Sequence, residues 1–322
     1  MVRVLGIDGG GIRGIIPATV LARIESLTGK PVAELFDLVA GTSTGGVLAL
    51  GLAKPGPAGK PAYSASEMLS FYEKEGRRIF HCTAAWKLRA LGGLAEEKYR
   101  AKGIEGALEE YFGEARLKDS LTDLLITSYE TERRIPFFFK SRNARLRPDY
   151  DFPMKDVARA TAAAPTYFEP LKLPARLPHD YYSLIDGGVY ANNPAMCGYV
   201  EARATHPQDS DFLVVSLGTG ERTLPLPYRE VKGWGLARWA QPILNVVFDG
   251  VSSTVDYQLR HLLPAAGNGR RRYWRFQAKL IGVADAMDDA RPDNIRSLRL
   301  LGEALVRERA DDLDSLCATL VG

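Results

Sequence analysis

The chain has 322 residues, 46% of them hydrophobic and 25% charged, with 42 Lys and Arg against 39 Asp and Glu. That mixture belongs to folded globular proteins and excludes a disordered, collagen-like or disulfide-scaffold chain. A net charge of +3 gives no electrostatic case for nucleic acid as the main partner, but it permits transient contact with an anionic surface.

The three cysteines, Cys82, Cys197 and Cys317, are far apart and form no CxxC. They read as reduced thiols without a metal framework. Met1 to Ile7 runs straight into a strand pattern with no apolar leader. No stretch nears ~18 uninterrupted apolar residues, so the expectation is a cytoplasmic chain that does not cross a membrane.

In chain order, Val4 to Ile7 reads as a strand and Gly9-Gly10-Gly11 as a turn. Ile16 to Leu27 carries apolar residues at helical spacing, with Pro17 tolerated in the first turn. Leu35 to Ala40 is a second apolar strand, followed by a buried-looking helix over Gly46 to Ala53. Strand, helix, strand is a βαβ unit, hence a parallel sheet with covered faces. The breaker cluster from Lys54 to Pro61 then leaves the sheet. Ala65 to Phe80 and Ile104 to Phe112 are amphipathic and helical, making 62–120 a helical flap over one sheet edge.

Strand patterns return at Leu124 to Tyr129, Ile135 to Phe139, Tyr182 to Ile185 and Phe212 to Leu217. A helix over Asp156 to Ala164 stops at Pro165. The C-terminal part, about 240–322, reads as helical through Ile243 to Leu262 and Asn294 to Leu320, with Arg270 to Phe276 between. With no repeat and no clear linker, residues 1–322 read as one α/β domain.

The chemistry concentrates in Gly41-Thr42-Ser43-Thr44-Gly45, a G-x-S-x-G between an apolar strand and an apolar helix. There a serine occupies a sharp strand-to-helix turn and projects above the sheet, although a tight turn with an incidental serine has the same letters. Its hydroxyl needs a proton acceptor, and acyl transfer needs donors for the developing oxyanion. Asp8-Gly9-Gly10-Gly11-Ile12-Arg13-Gly14 offers unobstructed N–H groups at a helix start, on the rim where adjacent parallel strands end. Arg13 adds positive charge suited to the oxyanion or to a lipid phosphate.

The same loop also reads G-x-G-x-x-G over Gly9 to Gly14, a dinucleotide fingerprint. The acid that should follow the second strand is missing there: Glu34 and Asp37 precede it. Four histidines, His81, His179, His206 and His261, are present, but neither His206 nor His261 has the turn context of a triad base. Asp186, followed by Gly187 and Gly188, closes a strand and is the better acceptor; Asp8 is its rival.

Together these blocks resemble the signatures of the patatin-like phospholipases: Asp8 to Gly14, Gly41 to Gly46, and Asp186-Gly187-Gly188, in that family's order. Ala160 to Phe168, Val189 to Pro194 and Ser216 to Gly220 are similar too, so the likeness spans nearly all of residues 2–310. The resemblance implies a three-layer α/β/α sandwich around a mostly parallel sheet, of the type of the cytosolic phospholipase A2 catalytic domain. It implies a Ser43–Asp186 dyad, with Gly9, Gly10, Gly11 and Arg13 in the oxyanion loop, Gly41, Gly45, Gly187 and Gly188 as motif residues, and no metal or cofactor. Acyl esters of phospholipids, lysophospholipids or other glycerolipids would be the substrates.

A closing flap would help exclude water, and Trp86, Lys87, Leu88, Arg89, Leu91 and Leu94 are candidates for touching a lipid surface. Arg270 to Arg272 are candidates for lipid phosphates. Alternatives are acyl transfer to an alcohol, an effector phospholipase switched on by a nucleotide, and, more distantly, dinucleotide binding. Oligomeric state is not legible.

Overall fold

The computed structural model describes residues 1–81, 97–175, 181–223, 225–239 and 242–322. Cys82, His179 and the stretch from Trp86 to Leu94 lie outside the described residues. Eight strands form one mixed sheet: β1 (Val2–Ile7), β2 (Leu38–Gly41), β3 (Asp123–Glu130), β4 (Ile135–Lys140), β5 (Leu171–Pro174), β6 (Tyr181–Asp186), β7 (Phe212–Leu217) and β8 (Tyr273–Phe276). β1 is the middle strand of the parallel part, paired with β2 and β7; β2 pairs in parallel with β3, and β7 with β8.

Helices cover both faces, the α/β architecture expected. On one face lie α1 (Ile15–Thr28), α2 (Thr44–Ala53), α3 (Ala65–Ile79), α4 (Ala101–Phe112) and α5 (Met154–Thr161). The other carries α6 (Ala195–Thr205) and α7 (Pro242–Leu262), while α8 (Pro292–Glu308) and α9 (Ala310–Val321) return to pack on α1. Alternation on the strands feeds the two cores: Leu5, Ile7 and Val39 face the larger one, Val2, Val4, Leu38 and Ala40 the smaller. α2 is apolar all round and buried all round, as such a helix must be. α3 starts at a capping box between Ser64 and Glu67, and it and α4 lie against the rest of the helical layer.

Several elements depart from the periodicity. The strand expected over Leu35 to Ala40 begins only at Leu38, because Leu35 closes a helical turn, Val32–Leu35, that follows the extended cap Pro31. The helix expected over Asn294 to Leu320 breaks at Arg309 (φ −112°, ψ 28°). β5 and β8 have no counterpart in the strand patterns. In β8 all four residues are buried, Arg275 included, so a charged residue interrupts what is a core strand.

The antiparallel part of the sheet decides where the site forms. β4 covers one side of β3 from Leu125 to Glu130. β2 pairs with β3 up to Ile126, and β6 pairs with it from Ser128 to Glu130. Both must therefore occupy the side of β3 that β4 leaves free. β2 runs parallel to β3 and β6 runs against it, so the two strands approach each other head to head. They stop with only Thr127 of β3 between Gly41's partner and Asp186's partner.

Candidate active site

Ser43 stands in the turn just beyond the end of β2, as cap of α2, at φ 54° and ψ −124°. A non-glycine residue there costs on the order of 1–3 kcal/mol and persists only where the surroundings enforce it. They do. The Ser43 N–H donates to Thr161 Oγ1 (2.8 Å), the Thr42 hydroxyl donates to the Ala191 carbonyl oxygen (2.6 Å), and Thr42 N–H donates to the Ile7 carbonyl (3.2 Å). The flanking glycines are steric necessities. A Cβ on Gly41 would lie 2.5 Å from the Gly45 oxygen, and one on Gly45 would overlap the Ile7 carbonyl. The helix thus starts hard against the strand.

Asp186 ends β6, is 2% exposed, and its Oδ1 accepts from the Gly188 N–H (2.7 Å). Ser43 lines the same pocket, with its side chain near enough to the carboxylate to favour the charged form. Burial pushes the Asp186 carboxyl up from 3.8 to about 7, and Ser43 and the Gly188 N–H oppose the shift without cancelling it. Gly187 has no room for a side chain, since a Cβ would overlap Thr127. The structure therefore brings together two residues 143 positions apart, with no imidazole between them among the described residues.

The glycine loop closes the third side. Gly9 packs against Ser43: a Cβ placed on it would be 3.2 Å from Ser43 Cβ and 2.5 Å from Asn192 Oδ1. Its N–H is already given to the Asn192 carbonyl (2.9 Å). Gly10 and Gly11 line the pocket, and neither N–H has an acceptor among the described residues. Gly11 adopts φ +59°, and a Cβ there would overlap the Met287 carbonyl, which also accepts from the Ile12 N–H (2.8 Å). Arg13 is buried and does not line the pocket; its Nε donates to the Gly10 carbonyl (3.3 Å) and its Nη1 to the Asp285 carbonyl (3.5 Å). Burial and the neighbouring Arg222 lower its guanidinium to about 10, which leaves it cationic at neutral pH. Arg13 thus braces the loop from behind.

The rival carboxylate is occupied elsewhere. Both oxygens of Asp8 accept from Arg275 (2.9 and 2.6 Å), which also donates to Ser216 Oγ (2.7 Å), all three buried. This pair ties the start of the glycine loop to β8 and β7. Replacing Arg275 by methionine leaves Asp8 buried without its cation and is expected to cost about 3–5 kcal/mol, read as a lower urea midpoint. Asp37, the acid nearest to dinucleotide spacing, sits before β2, far from the loop, and accepts from the Arg3 side chain and N–H. Burial raises its carboxyl, but the Arg3 bonds outweigh that and hold it below the ordinary value. The acid of that spacing is thus committed to Arg3 and not to the glycine loop.

Ser43, Asp186, Gly10 and Gly11 open into a pocket walled by Val47, Phe71, Ile79, Ile104, Leu108 and Phe168. Its few polar groups include Thr44 and Tyr72, bonded to each other (2.7 Å); burial raises the Tyr72 phenol, so it stays neutral. Among the described residues no histidine lines it. His206 bonds to Thr205 and the Ala202 carbonyl, and the exposed His261 lies against Tyr257. No cluster of three or more His, Cys, Asp or Glu among the described residues is placed to hold a metal ion. Thr161, Asn192, Phe248 and Met287 belong to this site without having been singled out. Thr161 and Asn192 stood inside segments that resemble the family, whereas Phe248 and Met287 carry no local signal.

The sequence model of the patatin-like phospholipases matches residues 5–196. The chain belongs to the patatin-like phospholipase family. Patatin-like protein 4 of Arabidopsis thaliana is 31% identical over 95% of this chain and 83% of its own length. Patatin-like protein 1 of Oryza sativa subsp. indica is 33% identical over 96% of this chain and 82% of its own. A potato relative (Solanum tuberosum), printed as "Probable inactive patatin-3-Kuras 1", is 32% identical over 97% and 88%. The solved structure of VipD from Legionella pneumophila is similar over 95% of this chain and 67% of its own, at 12% identity and a TM-score of 0.37. Membership in the patatin-like family therefore does not by itself decide activity; the groups around the serine do.

Proposed function

We propose that the protein is a serine lipid acyl hydrolase acting on acyl esters of phospholipids, lysophospholipids or related glycerolipids. The observation that carries this reading is the nearness of the Ser43 side chain to a buried carboxylate at the wall of an apolar pocket. Ser43 Oγ attacks the ester carbonyl while Asp186 takes its proton. A carboxyl near 7 is a far better base than an ordinary one near 3.8, and still ionised in useful fraction at neutral pH. The N–H groups of Gly10 and Gly11 receive the developing oxyanion. Collapse expels the alcohol, which takes the proton from Asp186. Water, deprotonated by the same carboxylate, then releases the acyl chain from Ser43. The apolar wall holds that chain and keeps competing water away.

A fluorophosphonate probe tests the reading directly. Mass spectrometry should place the adduct on Ser43, and phosphatidylcholine or lysophosphatidylcholine should yield free fatty acid. An adduct elsewhere, or no fatty acid from either lipid, rejects it. Acyl transfer to an added alcohol in place of fatty acid release would reassign the second step.

A further inference from the structure

The pocket opens beside a surface that the hydrolytic reading leaves unused. Residues 226–239 and 242–247 contribute nothing to either hydrophobic core and carry large apolar side chains in water. Leu236 is 93% exposed and Tyr228 72%; Ile243 and Val246, on the first turns of α7, are exposed as well. Trp234 and Trp239 pack edge to face, ring centroids 5.1 Å apart, and both remain partly exposed. An apolar cluster of this extent on a folded chain marks a contact surface.

Two further observations say what it contacts. The first is charge: within this segment Arg229, Lys232 and Arg238 face a single acid, Glu230, and all four are exposed. Aromatic and aliphatic side chains interleaved with cations suit the boundary between headgroups and acyl chains of an anionic bilayer. The second is continuity with the pocket. Phe248, the next residue of α7, lines the pocket and would lie 3.2 Å from a Cβ on Gly188. Ile243 precedes it by five residues, about 7.5 Å along a helix axis. Asn192, whose carbonyl holds Gly9, also donates to Ser252 of the same helix (3.1 Å).

We infer that the face formed by 226–239 and 242–247 docks the protein on anionic phospholipid bilayers, seating the mouth of the Ser43 pocket at the lipid surface. This rests on the lipid-hydrolase reading for its purpose, but its test does not need turnover. It uses the full chain carrying Ser43→Ala, in flotation with phosphatidylcholine vesicles, with and without phosphatidylglycerol. The Ser43→Ala chain should float with phosphatidylglycerol vesicles and much less with phosphatidylcholine alone. Adding Leu236→Asp and Ile243→Asp should weaken flotation at least about tenfold.

In the chain with Ser43 intact, the same two substitutions should leave hydrolysis of a water-soluble short-chain ester unchanged. Unchanged flotation of the Leu236→Asp, Ile243→Asp chain, or no flotation of its parent, overturns the proposal. So does a parent that sediments as a dimer which these substitutions split, since the face would then belong to a second copy. Absence of ester turnover together with normal flotation would instead count against the hydrolase reading alone.

Discussion

Ser43→Ala should reduce ester hydrolysis by at least about 10⁴-fold while leaving the unfolding midpoint nearly where it was. Nothing else in the pocket can replace the missing oxygen. The Thr44 hydroxyl is engaged with Tyr72 and the Thr42 hydroxyl with the Ala191 carbonyl. The backbone at Ser43 is held by neighbours that the substitution does not touch, Thr161 above all, so alanine inherits the same φ of 54° and the same strain. Hydrolysis of p-nitrophenyl esters and a urea titration read the two halves of the expectation. Retained turnover would mean that another nucleophile does the work.

Asp186 should impose an acid limb on kcat/KM centred near pH 7, because only its ionised form accepts the serine proton. Between pH 7 and pH 5 the rate should fall about fiftyfold, the slope approaching tenfold for each unit at the acid end. A profile flat down to pH 5 would exclude this carboxylate as the base. The same shift has a consequence for stability with a definite sign. The folded carboxyl keeps its proton to higher pH than the unfolded one, so the fold binds more protons between the two values. Its contribution is fully favourable below about 3.8 and is lost as the pH rises through about 7. Asp186→Asn, which never ionises, should therefore be inactive yet more stable than the native chain by a few kcal/mol at pH 8, with the difference vanishing near pH 4. Urea titrations at those two pH values measure it. A variant less stable at pH 8 would show that the charged carboxylate is welcome where it is buried.

Much of the site was legible because its parts are local. A glycine triplet after a strand, a serine between glycines at a strand–helix junction and an aspartate before two glycines each announce a turn in which backbone must approach backbone. The overlaps that a Cβ would meet at Gly11, Gly45 and Gly187 are the reason those letters are glycine. The relatives at about 30% identity place the same chain in the family those turns resemble. Less legible were residues that act through distance. Arg275 looks like part of a basic loop, yet it is the buried partner of Asp8, and β8 was hidden by that charge. Arg13 looked like a ligand for the oxyanion, but its hydrogen bonds point to Gly10 and Asp285 carbonyls. Gly9, too, spends its N–H on Asn192.

The amino-acid order alone determined the βαβ start, the strained serine turn and the two carboxylates in contention, because each depends on side-chain size and spacing within a few residues. The tertiary structure decided which carboxylate meets the serine. That choice follows from β4 occupying one side of β3, which leaves β2 and β6 to share the other and end face to face. A pairing of this kind joins segments more than a hundred residues apart through hydrogen bonds of the backbone, and backbone hydrogen bonds carry no mark in the sequence of side chains.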